Sequence, residues 1–185
     1  MTFRIAAASL ALVFAACGGA ALAADKSEKQ AELQKASMTT LDKFYQAKPD
    51  LKGDVENAPG YAVFTSYGLT FLVGGAGGGG TAHAKDGKVT YMSFAQVGAG
   101  PKVSIGSQEM LLVFKTPQAY KRFVDKGWEF GGQGGASAGA GSKKSGRGEG
   151  EQFTNDAMIY TYSKNGVVLG GEFTGTKFWK DKDLN

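Results

Sequence analysis

The chain has 185 residues, of which 21 are basic, 17 acidic and one histidine, for a formal charge of +4. That mild excess is far below the Lys and Arg density of a nucleic-acid-binding surface, which excludes nucleic acid as a partner. A single histidine excludes a histidine-rich metal site, and a single cysteine excludes an internal disulfide.

Residues 1–23 read as a cleavable secretory signal. Arg4 precedes an apolar run from Ile5 to Phe14, shorter than the roughly 20 residues that span a hydrocarbon core. Ala21-Leu22-Ala23 then supplies a small-x-small cleavage site. Gly18-Gly19 is expected to break the helix just before it. Phe14-Ala15-Ala16-Cys17 also approximates a lipobox, which would make Cys17 an acylated first residue; cleavage near Ala23 is the preferred reading. Without the signal, 20 basic residues face 17 acidic ones, a charge of +3, and about 160 residues remain, enough for one domain with a core. The expected location is the periplasm, with a lipoprotein anchored through Cys17 as the alternative.

Residues 24–50 are expected to form an N-terminal helix and its connector. From Ser27 to Ala47 there is neither Gly nor Pro, and Met38, Leu41, Phe44 and Tyr45 recur at helical spacing as one apolar stripe. Lys48-Pro49 ends it, because proline disfavours a helical residue before it. A helix packed on the domain is the simpler reading, and a membrane-seeking helix the second. Asp50 to Pro59 reads as a polar connector.

Residues 51–185 read as one glycine-rich domain. Tyr61–Thr65 and Thr70–Val73 are short strand-like runs, and Asp86-Gly87 and Asn165-Gly166 each sit between strand-like segments as tight hairpin turns. Beyond the second turn, Val167 and Leu169 are expected to face the core and Val168 the opposite side. Thr116, Pro117 and Gly127 punctuate a helix as N-cap, first turn and C-cap, with Tyr120, Phe123 and Val124 inward. The fold class is therefore α+β: an antiparallel glycine-rich sheet or partly closed barrel, with an N-terminal helix and one inserted helix.

Glycine, at 29 residues, concentrates in Gly74–Gly80 and Gly131–Gly150. Strands abut the first stretch at both ends, so a tight turn or a close strand approach is expected rather than a linker. Gly75 to Gly80 matches G-x-G-x-x-G, yet the Asp86-Gly87 turn leaves no room for the helix that a dinucleotide site needs, and the motif is rejected. The second stretch ends in Ser142–Gly150, an exposed loop carrying Lys143, Lys144 and Arg147.

Catalytic candidates are few. His83 would have to serve as the base of any triad, but it stands at a hairpin edge with no serine in a nucleophile-elbow context. Glu149, Glu151 and Asp156 cluster in sequence beside the glycine-rich loop, where solvated carboxylates are the simpler reading. No catalytic residue, metal ligand or cofactor site is assigned.

Several segments together resemble a known family. Ala58-Pro59-Gly60-Tyr61-Ala62-Val63-Phe64 is similar to the opening motif of the SYLF domain, the Ysc-type lipid-binding family. Val73–Gly80 resembles its glycine-rich turn, Tyr160–Ser163 with Gly166–Gly171 its closing hairpin, and Asp181–Asn185 its terminal acidic-to-asparagine segment. The resemblance covers roughly residues 38 to 185. It implies an α+β domain without enzymatic activity that binds membranes, as a secreted bacterial member. The expected function is a lipid- or membrane-associating module of the cell envelope, with a structural or protein-interaction module as the alternative. Lys143, Lys144 and Arg147 are the candidate contacts to an anionic phospholipid or membrane surface, and an envelope protein is a second candidate partner.

Overall fold

The computed structural model describes residues 17–65, 70–72, 75–97, 109–130, 156–163, 166–170 and 175–185. Helix α1 spans Cys17–Ala47, and Lys48 N–H still donates to the Phe44 carbonyl at 2.8 Å before Pro49 closes the run. The helical backbone passes through Gly18-Gly19 and on through Ala23, where a glycine break was expected. Each glycine costs only about 1 kcal/mol against alanine, and the alanine-rich flanks outweigh that. The expected polar connector is also ordered: Leu51–Asn57 forms helix α2, which buries Leu51 and Val55 four residues apart. The local pattern there is short, but two apolar residues on one side of a single turn suffice once a core receives them.

The strands form one antiparallel sheet that curls into a half-barrel around a helix-packed core, as the α+β reading expects. In chain order they are β1 (Gly60–Phe64), β2 (Thr70–Leu72), β3 (Gly75–Ala84), β4 (Val89–Val97), β5 (Glu109–Phe114), β6 (Trp128–Phe130), β7 (Ala157–Ser163), β8 (Gly166–Leu169) and β9 (Thr176–Lys180). Their order across the sheet is β6-β9-β4-β3-β1-β5-β7-β8, with β2 pairing the first residues of β3 beyond the end of β1. Helix α3 (Pro117–Lys126) links β5 to β6.

Alternation along the strands separates two cores. One face carries Phe64, Met92, Phe94, Met110, Leu112, Phe114, Ile159 and Phe178 beneath Ala119 and Phe123 of α3. The other carries Val63, Leu111, Val113 and Tyr160 beneath Leu41 and Phe44 of α1 and Leu51 and Val55 of α2. Strand β5 lies between both layers, so all six of its residues are buried and its sequence is an unbroken apolar run after Glu109. Tyr120 and Val124 pack against the first core as expected, and the Thr116 hydroxyl accepts from Ala119 N–H at 3.1 Å as the N-cap of α3.

Glycine makes this layering close. Gly75–Gly80 is the first part of β3, not a linker. A Cβ on Gly78 would lie 2.8 Å from the Phe94 ring, one on Gly80 would lie 2.5 Å from the Phe64 ring, and one on Gly79 would meet Leu33 of α1 at 3.0 Å. The close-approach reading therefore holds, with aromatic rings filling the space that side chains on β3 would take.

Both hairpins are present. Ala84 N–H donates to the Lys88 carbonyl at 2.9 Å across Asp86-Gly87, and Gly87 has φ +87°. The β7–β8 hairpin turns one residue earlier than expected: Ser163 pairs with Gly166, and Gly166, at φ +101°, begins the return strand. The left-handed glycine closes the turn instead of occupying its centre. Val167 and Leu169 pack on the core beneath α1, while Val168 is 47% exposed.

Candidate functional site

Of the residues singled out for membrane contact, Lys143, Lys144 and Arg147 lie outside the described residues, as do Glu149 and Glu151. Cys17 opens α1, with its side chain outside the described ones. Asp156 is not a solvated carboxylate. It stands just before β7, accepts from Arg122 of α3 at 2.7 Å, and is part of the bracing between helix and sheet. The spacing from Arg122 to Asp156 runs across the long glycine segment, so nothing local in the sequence signals this pair.

The apolar stripe on α1 is turned inward. Leu41 and Phe44 are almost wholly buried and Tyr45 is half-buried, whereas Met38 points away at 39% exposed. The buried line instead continues through Thr40, Ser37 and Leu33. Thr40 bonds Thr65 at 3.2 Å, Lys43 reaches the buried Glu109 at 2.7 Å, and the Ser37 hydroxyl has no hydrogen-bond partner among the described residues. Small hydroxyl residues fit here because the glycine strand lets the helix approach closely. They also interrupt the apolar periodicity that would otherwise mark this face of the helix.

His83 sits on the same side of the sheet, one strand over from Tyr61. The two rings stack at 4.8 Å with planes 8° apart, and His83 Nε2 lies 2.8 Å from the hydroxyl of the fully buried Thr81. Burial lowers the imidazole pKa and raises that of Tyr61; it also pushes Tyr45 up to about 12, with Tyr61, Glu56 and Asp42 adding to the rise. Among the described contacts no carboxylate bonds the His83 ring. At the same end, Lys48 Nζ lies 5.5 Å from the centre of the Tyr160 ring, and Lys85 donates to the Glu56 carbonyl. Among the described residues no group of three or more His, Cys, Asp or Glu is placed to hold a metal ion, and no helix is long and apolar enough to cross a membrane.

On β4, the strand next to β3, the last five residues fold back on the side that α1 covers. Asp181 Oδ1 accepts from the backbone N–H groups of Asp183 and Leu184 at 2.9 and 3.0 Å, and its other oxygen accepts from Ser93 at 2.7 Å. The Asn185 side chain donates to the Tyr91 carbonyl at 2.7 Å and accepts from Tyr91 N–H at 3.1 Å. A primary amide carries one donor and one acceptor edge, as a peptide does, so Asn185 supplies the pairing that a further strand residue would make.

Comparison with known proteins bears on this architecture. Residues 95–185, from the end of β4 to the Asn185 tail, match the Ysc84 family, described as Las17-binding protein actin regulator. Over 164 residues the chain is 30% identical to "Beta cell expansion factor A" of Aeromonas veronii, covering 86% of this chain and 60% of that protein. The chain thus spans about 60% of the length of the relative that it matches.

Proposed function

The chain belongs to the Ysc84 (SYLF) family, and on that premise we propose that it is a non-enzymatic binding module that associates with lipid or membrane surfaces of the bacterial cell envelope. Family membership is the observation that carries this reading, because the family is one of binding and regulatory domains. The state of His83 supports the non-enzymatic part: its ring is stacked on Tyr61 and bonded to Thr81. The module acts in the periplasm after cleavage near Ala23, or from a lipid anchor on Cys17 if the lipobox is used. Its partner is an anionic phospholipid surface, met by Lys143, Lys144 and Arg147. Near such a surface each cation contributes about 1 kcal/mol.

The family's description names a protein partner, which favours a second reading as a protein-interaction module. Gly78, Gly79 and Gly80 of β3 do not serve it, since Phe94, Leu33 and Phe64 of the same chain already occupy their surface.

Flotation of a Lys143→Ala, Lys144→Ala, Arg147→Ala protein with anionic liposomes tests the first reading at its contact residues. Binding should weaken by up to about 3 kcal/mol, roughly a hundredfold. A triple variant that floats as well as the parent at low salt rules the loop out as the contact. Because the stripe of α1 faces the sheet, the helix in its docked position is not the substitute surface.

A further inference from the structure

The N-terminal half of α1 is held differently from the rest of the helix. Between Asp25 and Ala36 only Leu33 is buried among the described side chains, against a strand that offers it Gly79. The next inward residue, Ser37, buries a hydroxyl with no partner among the described residues. Two bonds tie this half to the protein's tail: Lys26 Nζ donates to the Asn185 carbonyl oxygen at 2.8 Å, and Gln30 Nε2 to the Leu184 carbonyl at 2.6 Å. The tail is in turn held on β4 by the Asn185 amide and Asp181. Beyond Ser37 the situation changes, with Thr40, Leu41 and Phe44 buried and Lys43 paired to Glu109.

We propose that residues 181–185 are a releasable strap that holds the N-terminal half of α1 on β4, so that residues 25–36 open in a local step separate from unfolding of the domain. Residues 25–36 continue the docked half of α1, and in water such an extension is held mainly by what its inner face packs against. With one buried leucine, its order depends on the strap. Of the strap's own bonds to α1, that of Lys26 is exposed, where water competes for donor and acceptor, and that of Gln30 is only partly buried, so the net gain per bond is small. The strap is therefore strong enough to favour the docked helix and weak enough to let it go. Its release changes the reach of the domain: residues 25–36 span about 18 Å as a helix and up to about 40 Å when extended. For a chain held at its N-terminal end, the strap sets how far the sheet stands from the point of attachment.

Hydrogen–deuterium exchange on the full chain tests this, comparing the parent with Asn185→Ala and with the double variant Lys26→Ala, Gln30→Ala. Both variants should exchange amides 25–36 at least tenfold faster, with 40–47 and the strands of the sheet unchanged. The double variant leaves the tail intact, so agreement between the two assigns the effect to the contact itself. Exchange of 25–36 at the parental rate in both variants overturns the proposal. So does an equal acceleration throughout the domain, which would make the strap an ordinary part of the cooperative fold.

Discussion

Three glycines show how one residue type carries three different costs. Gly53, inside α2, has nothing within 4 Å of where a Cβ would stand, so Gly53→Ala should stabilise by up to about 1 kcal/mol through helix propensity. Gly80 lies under the Phe64 ring and against the Val63 carbonyl, and Gly80→Ala should cost about 1–3 kcal/mol of overpacking. Gly166 has open space but φ +101°, so Gly166→Val should cost about 1–3 kcal/mol by backbone strain alone. Urea midpoints check this: Gly53→Ala should lie at or above the parent and the other two below it, and three equal values would contradict it. His83 adds a pH dependence. Burial holds its pKa below the ordinary 6.5, so the unfolded chain binds the proton more readily. Stability from this site is complete above about pH 6.5 and is lost as pH falls through the folded-state value. Replacing His83 by Gln should flatten the fall in urea midpoint between about pH 7 and pH 5, and an unaltered slope would show that other groups dominate.

Elements with local punctuation were legible, and those stabilised from a distance were not. Helix α3 has its cap, its proline and its closing glycine within its own sequence, and the structure uses all three. Thr116→Ala should therefore lower stability by about 1 kcal/mol, read from the thermal melt, whereas Thr39→Ala on the exposed side of α1 should change it little. Helix α1 was legible in extent from Ser27 onward but not in orientation. Its inward line mixes Leu33, Ser37 and Thr40 with Leu41 and Phe44, because the surface opposite is glycine and threonine rather than large apolar side chains. Helix α2 was missed altogether, since only the sheet gives Leu51 and Val55 something to bury against. In the β7–β8 hairpin the pair Asn165-Gly166 located the turn, but the pairing of Ser163 with Gly166 set its register. The Asn185 tail was recognised through family resemblance, and its bonds to Tyr91 and Lys26 span 94 and 159 residues, beyond any local pattern.

At the scale of the molecule, an antiparallel sheet with α3 on one face and α1 and α2 on the other turns its apolar residues inward. Exposed large apolar side chains among the described residues are Met38, Val168 and Trp179, on three separate elements. Scattered single residues of this kind do not make an apolar docking patch. Among the described residues nothing offers an apolar membrane contact, so the proposed association rests on charge, on the formal +4 of the chain and the cations grouped in sequence at Lys143, Lys144 and Arg147. Electrostatic attachment has a defined signature, because salt screens it over a Debye length of about 8 Å at physiological ionic strength and about 30 Å at low salt. The most direct measurement is flotation of the protein lacking residues 1–23 with anionic and with neutral liposomes, each at low and at physiological salt. Charge-driven association predicts recovery with anionic liposomes at low salt, a marked loss at physiological salt, and little recovery with neutral liposomes at either. No flotation with anionic liposomes at low salt, or equal flotation with both lipid types at both salts, would contradict it.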